Sequence, residues 1–129
     1  MEMVASLFNS DNYTAVKKMM DVAALRHAAI ASNIANVSTP GYKRVDLGRT
    51  FEQELIKTID GRDAAKISAL DPSIETDSLT PSTRADGNNV QLDSELLKLT
   101  TNTSNFDALS QFASGSLKQL RTAITGRPA

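Results

Sequence analysis

Two long segments with helical periodicity, one towards each end of the chain, constrain the fold more than any other feature. In each segment apolar residues recur at alternating spacings of three and four, which places them along one face of an α-helix. Kept at 3.5 residues, the same spacing describes a coiled-coil seam. The segments cover residues 12–37 and 92–124 and would be roughly 39 and 50 Å long. The chain is therefore predicted to be all-α.

The predicted seam of each helix is made almost entirely of apolar side chains. The main members in the N-terminal helix are Val16, Met20, Ile30 and Ile34. The members in the C-terminal helix are Leu92, Leu96, Leu99, Phe106, Leu117, Leu120 and Ile124. Both helices carry further small or apolar residues outside these seams, so more than one side of each helix is expected to need a partner. The alternative is a bundle that buries every apolar side chain internally, which would require a third long helix.

The middle of the chain is predicted to contain a turn, a short helix and a long irregular loop. Phe51, Leu55, Ile56 and Ile59 indicate an amphipathic helix near residues 50–59. The following stretch, 60–89, contains two glycines, two prolines and only sparse apolar residues. A structureless loop of this length is unusual within a compact domain. We expect it either to order on assembly or to lie as an extended arm on a neighbouring molecule.

The length of 129 residues corresponds to one domain. We divide residues 1–129 into an N-terminal helical segment (1–39), the middle region (40–90) and a C-terminal helix (91–126). Aromatic residues make up only 5% of the chain, so a large core would be difficult to build. The formal net charge of −1 argues against a nucleic-acid partner, and the absence of cysteine excludes disulfides and thiolate metal sites.

No group of residues indicates catalysis, a cofactor, a metal or a small-molecule substrate. His27 lies on the apolar seam, where a packed or interface histidine is favoured over a general base. The stretches 60–63 and 86–89 have the composition of calcium loops without the full ligand pattern, and are predicted to be turns. Tyr42-Lys43-Arg44 is predicted to be a solvated basic turn. The sequence is not that of an enzyme.

Neither a membrane span nor a cleaved signal peptide is indicated. No segment approaches the eighteen or so consecutive apolar residues that a span needs. The first twenty residues lack a basic region followed by an apolar stretch. A cytoplasmic protein is the default expectation, unless export uses an uncleaved signal.

The N-terminal helix is predicted to end at Ser38-Thr39-Pro40-Gly41. Proline disfavours the α region for the residue before it, and Gly41 readily takes the positive φ that a type II turn requires. The segment Ala31–Lys43, ASNIANVSTPGYK, closely resembles the N-terminal signature of the flagellar axial proteins, the rod, hook and hook-associated family. The stretch Asp86–Val90, followed by a long C-terminal helix, is similar to the proximal rod members of that family. The resemblance covers nearly the whole chain and is weakest over residues 60–85.

The resemblance implies an inner domain in which the two terminal helices pack in a coiled-coil-like manner, and copies that stack helically around an export channel. It implies a structural subunit of the proximal rod of the bacterial flagellar basal body, self-assembling into a hollow drive shaft that transmits torque. The implied partners are other copies, other flagellar rod proteins, rod-base adaptor and membrane ring proteins, and the flagellar type III export apparatus. The implied location is the periplasmic part of the basal body, reached without cleavage. The alternative is a soluble helical adaptor or export chaperone that binds a partner helix.

The resemblance also identifies candidate residues of a signature turn: Asn33, Asn36, Thr39, Pro40, Gly41 and Tyr42. The hypothesis is that Pro40 and Gly41 redirect the chain while the two asparagines bind backbone groups at the helix end. The competing interpretation is an ordinary helix C-cap that makes no contact with a partner.

Overall fold

The computed structural model describes residues 11–128 as a mainly helical chain with one small sheet. Residues 1–10 of the predicted N-terminal segment lie outside the described part. In chain order the elements are α1 (Asp11–Ala35), β1 (Val45–Leu47), α2 (Arg49–Asp60), α3 (Ala64–Ala69), β2 (Ile74–Thr76) and α4 (Leu92–Thr125). The two long helices and the short middle helix are confirmed near their predicted positions.

The long helices α1 and α4 pack against each other in antiparallel directions. Asn33, near the end of α1, contacts Glu95 at the start of α4, and the Nδ2 of Asn102 donates to the backbone oxygen of Ala23 over 2.8 Å. Residue numbers therefore fall along α1 as they rise along α4. With 34 residues against 25, α4 is the longer helix.

The face of α4 that is buried against the rest of the chain is polar. Among the described residues of α4, only Glu95 and Asn102 are fully buried, and they lie seven residues apart, as two turns of a helix require. The buried residues of α1 are mostly small and apolar: Ala15, Val22, Ala23, Ala29, Ile30 and Asn33. Close approach of the two helices therefore depends on alanines and on paired polar groups.

A small apolar core lies between α1 and the middle of the chain. Val22, Leu47 and Phe51 are buried together, and these partly buried side chains pack against them: Leu25, Leu55 and Leu70. Phe51 comes from the first turn of α2, and Leu55 packs beside it, as expected of the predicted amphipathic helix. The core is small, in agreement with the low aromatic content.

The predicted irregular loop at 60–89 is wrong in part, because this stretch contains α3 and β2. Asp63 begins α3 by accepting a hydrogen bond from the backbone nitrogen of Lys66 over 3.2 Å. Strand β2 pairs antiparallel with β1, with Leu47 opposite Ile74. The stretch therefore folds against its own chain, and the purely all-α description needs a two-stranded sheet added. All three residues of β2 are exposed. The strand therefore lacks the alternation of buried apolar and exposed polar residues by which a strand is recognised in a sequence.

Helix α4 runs without interruption through six weak helix formers, residues 100–105. The hydroxyls of Thr100 and Thr103 donate to carbonyls four residues earlier, which satisfies these side chains inside the helix. Gly126 ends α4 in the left-handed conformation at φ 66°, as predicted for a C-terminal glycine. Within residues 11–128, no helix has both the length and the apolarity needed to span a membrane.

Candidate functional site

The signature turn follows α1 directly and reverses the chain towards β1. The backbone nitrogen of Tyr42 donates to the backbone oxygen of Thr39 over 3.2 Å, and Gly41 has a φ of +72°. This places glycine at the third position of the turn, where type II geometry needs a positive φ. Gly41 thus has the positive φ that the sequence predicted. Residues 38–41 are exposed at the tip of the turn.

Only one of the two signature asparagines acts at the helix end. The Nδ2 of Asn36 donates to the backbone oxygen of Ser32 over 2.9 Å, and its Oδ1 accepts from the Thr39 hydroxyl. Asn33 instead binds both backbone groups of Val45, donating to its oxygen and accepting from its nitrogen, each over 2.8 Å. The hypothesis that both asparagines bind the helix end is therefore wrong for Asn33, which fixes β1 to α1.

Asn33 also joins these elements to α4 and to the signature tyrosine. Its Nδ2 donates to Glu95 Oε2 over 3.0 Å, and its Oδ1 accepts from the Tyr42 hydroxyl over 3.2 Å. The Asn33 side chain is 0% exposed, so its amide is satisfied entirely by protein groups. A buried amide with four partners is geometrically demanding, and it sets the position of α1 relative to β1 and α4.

The second motif, Asp86–Val90, folds onto the signature turn. The Nδ2 of Asn88 contacts three backbone oxygens of that turn, those of Asn36, Val37 and Thr39, at 2.9, 3.2 and 2.9 Å. Its Oδ1 accepts from the backbone nitrogen of Val90 over 2.8 Å. Asn88 is 0% exposed. One amide therefore connects the end of α1 to the residue that precedes α4 by two positions.

Two glycines with positive φ, Gly41 and Gly87, lie where the two motifs meet. The backbone nitrogen of Gly41 donates to the backbone oxygen of Asp86 over 2.8 Å. Gly87 has a φ of +78°, and a Cβ placed on it would lie 4.0 Å from the Cα of Gly41.

The loops at residues 60–63 and 86–89 form turns, as predicted. The second of these is part of the signature junction, which we define as Asn33, Asn36, Gly41, Arg44, Asn88, Asn89 and Glu95.

Arg44 is the charged centre of the signature junction. It is 3% exposed, so the prediction of a solvated basic turn at residues 42–44 is wrong for this residue. Its Nε donates to Glu95 Oε1 over 3.0 Å, and its two terminal nitrogens bind Asp46 and Asp77. Three carboxylates from β1, α4 and the segment after β2 therefore converge on one guanidinium.

The backbone around this cluster is held by Asn89. Its Oδ1 accepts from the backbone nitrogen of Arg44 over 2.7 Å, and its Nδ2 donates to the backbone oxygens of Asp77 and Thr80, each over 3.0 Å. No side-chain polar atom that is buried among the described residues lacks a hydrogen-bond partner. The junction is thus a fully satisfied polar network, which is the condition for such a network to stabilise a unique arrangement.

The cluster shifts the pKa values of its members in opposite directions. Burial disfavours the charged form of Arg44, but its bonds to Asp46, Asp77 and Glu95 outweigh burial and raise its pKa. Burial would raise the pKa of Asp46, yet the hydrogen bonds from Arg44 and from the Leu47 backbone lower it below 3.8. The pKa of Asp77 is lowered in the same way, with the Thr80 hydroxyl and Arg44 outweighing burial. Arg44, Asp46 and Asp77 are therefore ionised at neutral pH.

We expect the free energy of unfolding to fall as the pH drops below about 4, the ordinary pKa of an aspartate. Asp46 and Asp77 have lowered pKa values in the folded state, so their contribution is complete above the unfolded value and is lost as the pH falls through the folded value. Urea titrations from pH 7 to pH 2 measure this. The variant Asp107→Asn, at an exposed position on α4, should leave the profile unchanged, whereas Asp77→Asn should flatten it. If Asp77→Asn left the pH profile of stability unaltered, the loss of stability in acid could not be attributed to Asp77.

Gly41→Val should destabilise the fold by about 1–3 kcal/mol, because a β-branched residue is strained at positive φ. A Cβ at Gly41 meets nothing within 4 Å, so the cost comes from the backbone alone. Gly115, inside α4, is equally open and provides a matched comparison. Gly115→Ala should stabilise by about 0.5–1 kcal/mol, while Gly41→Ala should destabilise, both measured by urea unfolding. If alanine at Gly41 and alanine at Gly115 changed the free energy of unfolding equally, the positive φ of Gly41 would not be the cause of the destabilisation.

The predicted seam residues do not form one buried interface within the chain. Ile30 is buried; the partly buried members are Val16, Met20, Ile34, Leu99 and Leu120. The exposed members are Leu92, Leu96, Phe106, Leu117 and Ile124, between 36% and 65% accessible. On α4 the predicted seam lies beside the polar line of Glu95 and Asn102 rather than on it. Most of the seam on α4 is therefore open to a neighbouring molecule.

His27 is exposed rather than packed within the chain. It lines an open cavity of about 310 Å³ between α1 and α4, together with Ala23, Ala24, Asn102, Thr103 and Phe106.

Among residues 11–128 no three histidine or acidic side chains are grouped as metal ligands would be. The chemistry of the junction is accordingly that of a structural connection: hydrogen bonds and ion pairs that hold two helices and two loops in one arrangement.

Comparison with known proteins identifies the class of protein to which this chain belongs. The sequence model of a family described as "Flagella basal body rod protein" matches residues 20–43, the second half of α1 and the signature turn. The chain is 32% identical to a Bacillus subtilis protein over 113 residues, which cover 79% of this chain and 84% of that protein. It is 36% identical to a Borrelia hermsii protein over 103 residues, covering 66% and 74%, and 30% identical to an Escherichia coli protein over 124 residues, covering 84% and 88%. The chain therefore belongs to the flagellar basal body rod proteins. Each of these three relatives is named flagellar basal body rod protein FlgB.

Sequence reasoning missed the residues that carry most of the junction. Asn88 and Asn89 were part of a recognised motif but had no assigned role, and Arg44 and Glu95 were not candidates. The sequence did contain a signal for Asn88 and Asn89, since two adjacent asparagines lie just before a helix. Asparagine side chains readily bind nearby backbone groups. The burial of Arg44 had no local signal, since its partners Asp77 and Glu95 lie 33 and 51 residues away.

Proposed function

We propose that this chain is a structural subunit of the proximal rod of the bacterial flagellar basal body. In this role it assembles with other copies and other rod proteins into a hollow drive shaft that transmits torque and surrounds the export channel. Membership of the rod family and the FlgB relatives support the proposal. The role is mechanical, and it requires subunits that adhere along their length and keep a fixed internal geometry under load.

The single observation that carries the proposal is the apolar surface of α4. Seven large apolar side chains on this helix are at least 36% exposed: Leu92, Leu96, Leu97, Phe106, Phe112, Leu117 and Ile124. Exposed apolar groups along one element mark a surface that is covered in an assembly. Burying each such side chain fully contributes about 1.5 kcal/mol or more, which favours lateral contacts between subunits.

The signature junction supplies the second requirement of a drive shaft, which is stiffness. It holds the end of α1, β1 and the start of α4 together through buried asparagines and Arg44. Torque applied to one helix is then passed to the other through bonds within the subunit rather than through a flexible loop. We infer that the signature turn acts mainly on the subunit's own geometry and presents its exposed tip, residues 38–41, at a constant position.

The proposal extends to the domain organisation, the partners and the location. Residues 1–129 form one rod-type domain whose terminal helices pack in a coiled-coil-like inner layer of the assembled rod. The partners, besides rod proteins, are the rod-base adaptor, the membrane ring and the flagellar type III export apparatus. The subunit reaches the periplasmic part of the basal body through that apparatus, without cleavage of a signal peptide. The family resemblance supports each of these points.

The proposal is tested by replacing exposed seam residues while leaving the fold intact. We expect the triple variant Leu96→Ser, Leu117→Ser, Ile124→Ser to unfold at nearly the same urea concentration as the unmodified chain. In a flagellated strain that lacks its own FlgB-type protein, the variant should fail to restore swimming and should be absent from purified basal bodies. A loss of about 1.5 kcal/mol for each side chain corresponds to more than a hundredfold weaker association.

The matched control replaces three exposed polar residues of the same helix, Thr101, Gln111 and Gln119, with serine. This control should restore swimming and enter basal bodies. Normal basal bodies built with the seam variant would contradict the proposal. Complexes of fixed small stoichiometry with one partner, combined with basal bodies that lack the chain, would support the adaptor or chaperone alternative instead.

A further inference from the structure

After its first turn, α4 contributes one fully buried side chain to its contact with α1, and that side chain is polar. In the described part of the chain, Asn102 is the only buried residue of α4 besides Glu95, and it is 5% exposed. Its Nδ2 donates to the backbone oxygen of Ala23 over 2.8 Å. Because that oxygen belongs to the backbone of α1, the bond forms only when position 102 faces α1. It therefore fixes the rotation of α4 about its own axis.

The contact between α1 and α4 is loosely packed on both sides of Asn102. On one side, Thr103 and Phe106 line the cavity of about 310 Å³ that also contains His27. On the other side, Leu109 lines a second open cavity of about 510 Å³ between α1, α2 and α4. Close packing therefore does not hold α4 in its observed rotation, and the hydrogen bond of Asn102 is left to do so.

The apolar seam predicted on α4 competes with Asn102 for the contact with α1. At about 100° per residue, Leu99 lies about 60° and Phe106 about 40° from Asn102 in the same direction around the helix. A rotation of about 50° would place these side chains against α1 in its place. Apolar burial favours that rotation, whereas Asn102 would lose its partner. A single buried asparagine fixes the register of packed helices in this way, at a cost in stability.

We propose that Asn102 is a positioning residue that selects which face of α4 packs on α1, and so keeps the predicted seam of α4 open. This inference rests on the proposed function, in which neighbouring subunits cover that seam. Asn102→Leu removes the polar group that opposes rotation and adds an apolar side chain that tolerates it. The molecule then turns its own seam towards α1 and loses part of the surface that assembly needs.

The experiment measures how fast single introduced thiols react with a maleimide in the full-length chain. The chain has no cysteine, so each variant carries one thiol. Thr103→Cys lies on the seam side of α4 at an exposed position, and Leu109→Cys lies on the opposite side at a partly buried position. When Asn102→Leu is added, we expect Thr103→Cys to react at least about tenfold more slowly, which is 1.4 kcal/mol of protection. Leu109→Cys should react faster.

Opposite changes at the two thiols distinguish a rotation from a loss of stability, which would speed both reactions. Urea unfolding gives a second readout. Asn102→Leu should unfold at the same urea concentration as the unmodified chain or at a higher one. Asn102→Ala should unfold at a lower one, because it loses the hydrogen bond to Ala23 and adds no apolar surface. The control Asn105→Leu makes the same change at the other, exposed asparagine of α4, and should leave the labelling of Thr103→Cys unchanged.

Two results would overturn the inference. If Asn102→Leu lowers the urea midpoint and both thiols react faster, Asn102 has only a structural role. If neither labelling rate changes, α4 keeps its face without Asn102. Entry into basal bodies is measured separately, and we expect Asn102→Leu to be absent from them. Should the labelling shift as expected in a variant that still enters basal bodies, Asn102 does select the face, and it is the proposed use of the seam in assembly that is wrong.

Discussion

Replacing Arg44 with methionine will lower the free energy of unfolding by about 3–5 kcal/mol, the cost of removing one partner of a buried ion pair. Methionine keeps much of the length and apolar volume of the side chain while it removes the charge. Glu95, which is 1% exposed, would then be a buried carboxylate without its guanidinium. Urea unfolding at pH 7, followed by far-ultraviolet circular dichroism, measures the difference.

The matched control is Arg121→Met, at an exposed arginine of α4, which should change stability by less than about 0.5 kcal/mol. Adding Glu95→Gln to Arg44→Met should recover part of the loss, because the buried carboxylate that has lost its guanidinium is removed as well. The Arg44→Met variant should also lose less stability in acid than the unmodified chain, since Asp46 and Asp77 lose the contribution of Arg44 to their lowered pKa values. A loss below about 1 kcal/mol for Arg44→Met would mean that the cluster does not hold the fold together.

Asn88→Ala should destabilise the chain by about 2–4 kcal/mol, through the loss of buried hydrogen bonds from one side chain. Its amide group contacts three backbone oxygens of the signature turn, and its oxygen binds the Val90 backbone. Asn88→Asp should cost more, because a carboxylate would replace the donor that faces those three oxygens. Urea unfolding measures stability, and amide exchange in residues 36–42 reports whether the turn has loosened.

Asn105→Ala is the control for this prediction. Asn105 is an exposed asparagine of α4, and the change should alter stability by less than about 0.5 kcal/mol. An Asn88→Asp variant that is more stable than Asn88→Ala would contradict the inferred donation to the turn carbonyls. Unchanged exchange in residues 36–42 would show that the turn keeps its conformation without the second motif.

The parts of the fold that sequence reasoning predicted are those governed by local spacing. Helices α1, α2 and α4 follow from apolar residues at three- and four-residue intervals, and the turn at Gly41 follows from proline and glycine in sequence. Strand β2 was missed because three exposed residues carry no periodicity, and α3 because six residues are too few to establish one. Glycine and proline on either side of these elements were taken to indicate a continuous loop.

The candidate site was predicted in position but not in mechanism. Three of the six signature residues, Asn33, Asn36 and Gly41, belong to the junction, yet Asn33 acts on β1 and α4 instead of the helix end. Arg44 was assigned to solvent because arginine is rarely buried without partners. Its burial needs three carboxylates, two of which reach it only when α4 and the segment after β2 are in place. No short stretch of the sequence contains Arg44 together with these two carboxylates.

The sequence by itself determined where the long helices run, where the chain turns and that apolar side chains are too numerous on α4 for one molecule to cover. These features depend on backbone geometry and on spacings of a few residues, which act within any single segment. Only the tertiary structure decided that the line of Glu95 and Asn102, and not the leucine seam, packs against α1, and that Arg44 is buried. A polar or charged group is buried only where its partners converge on it, and these partners are brought together by folding from positions up to 79 residues apart.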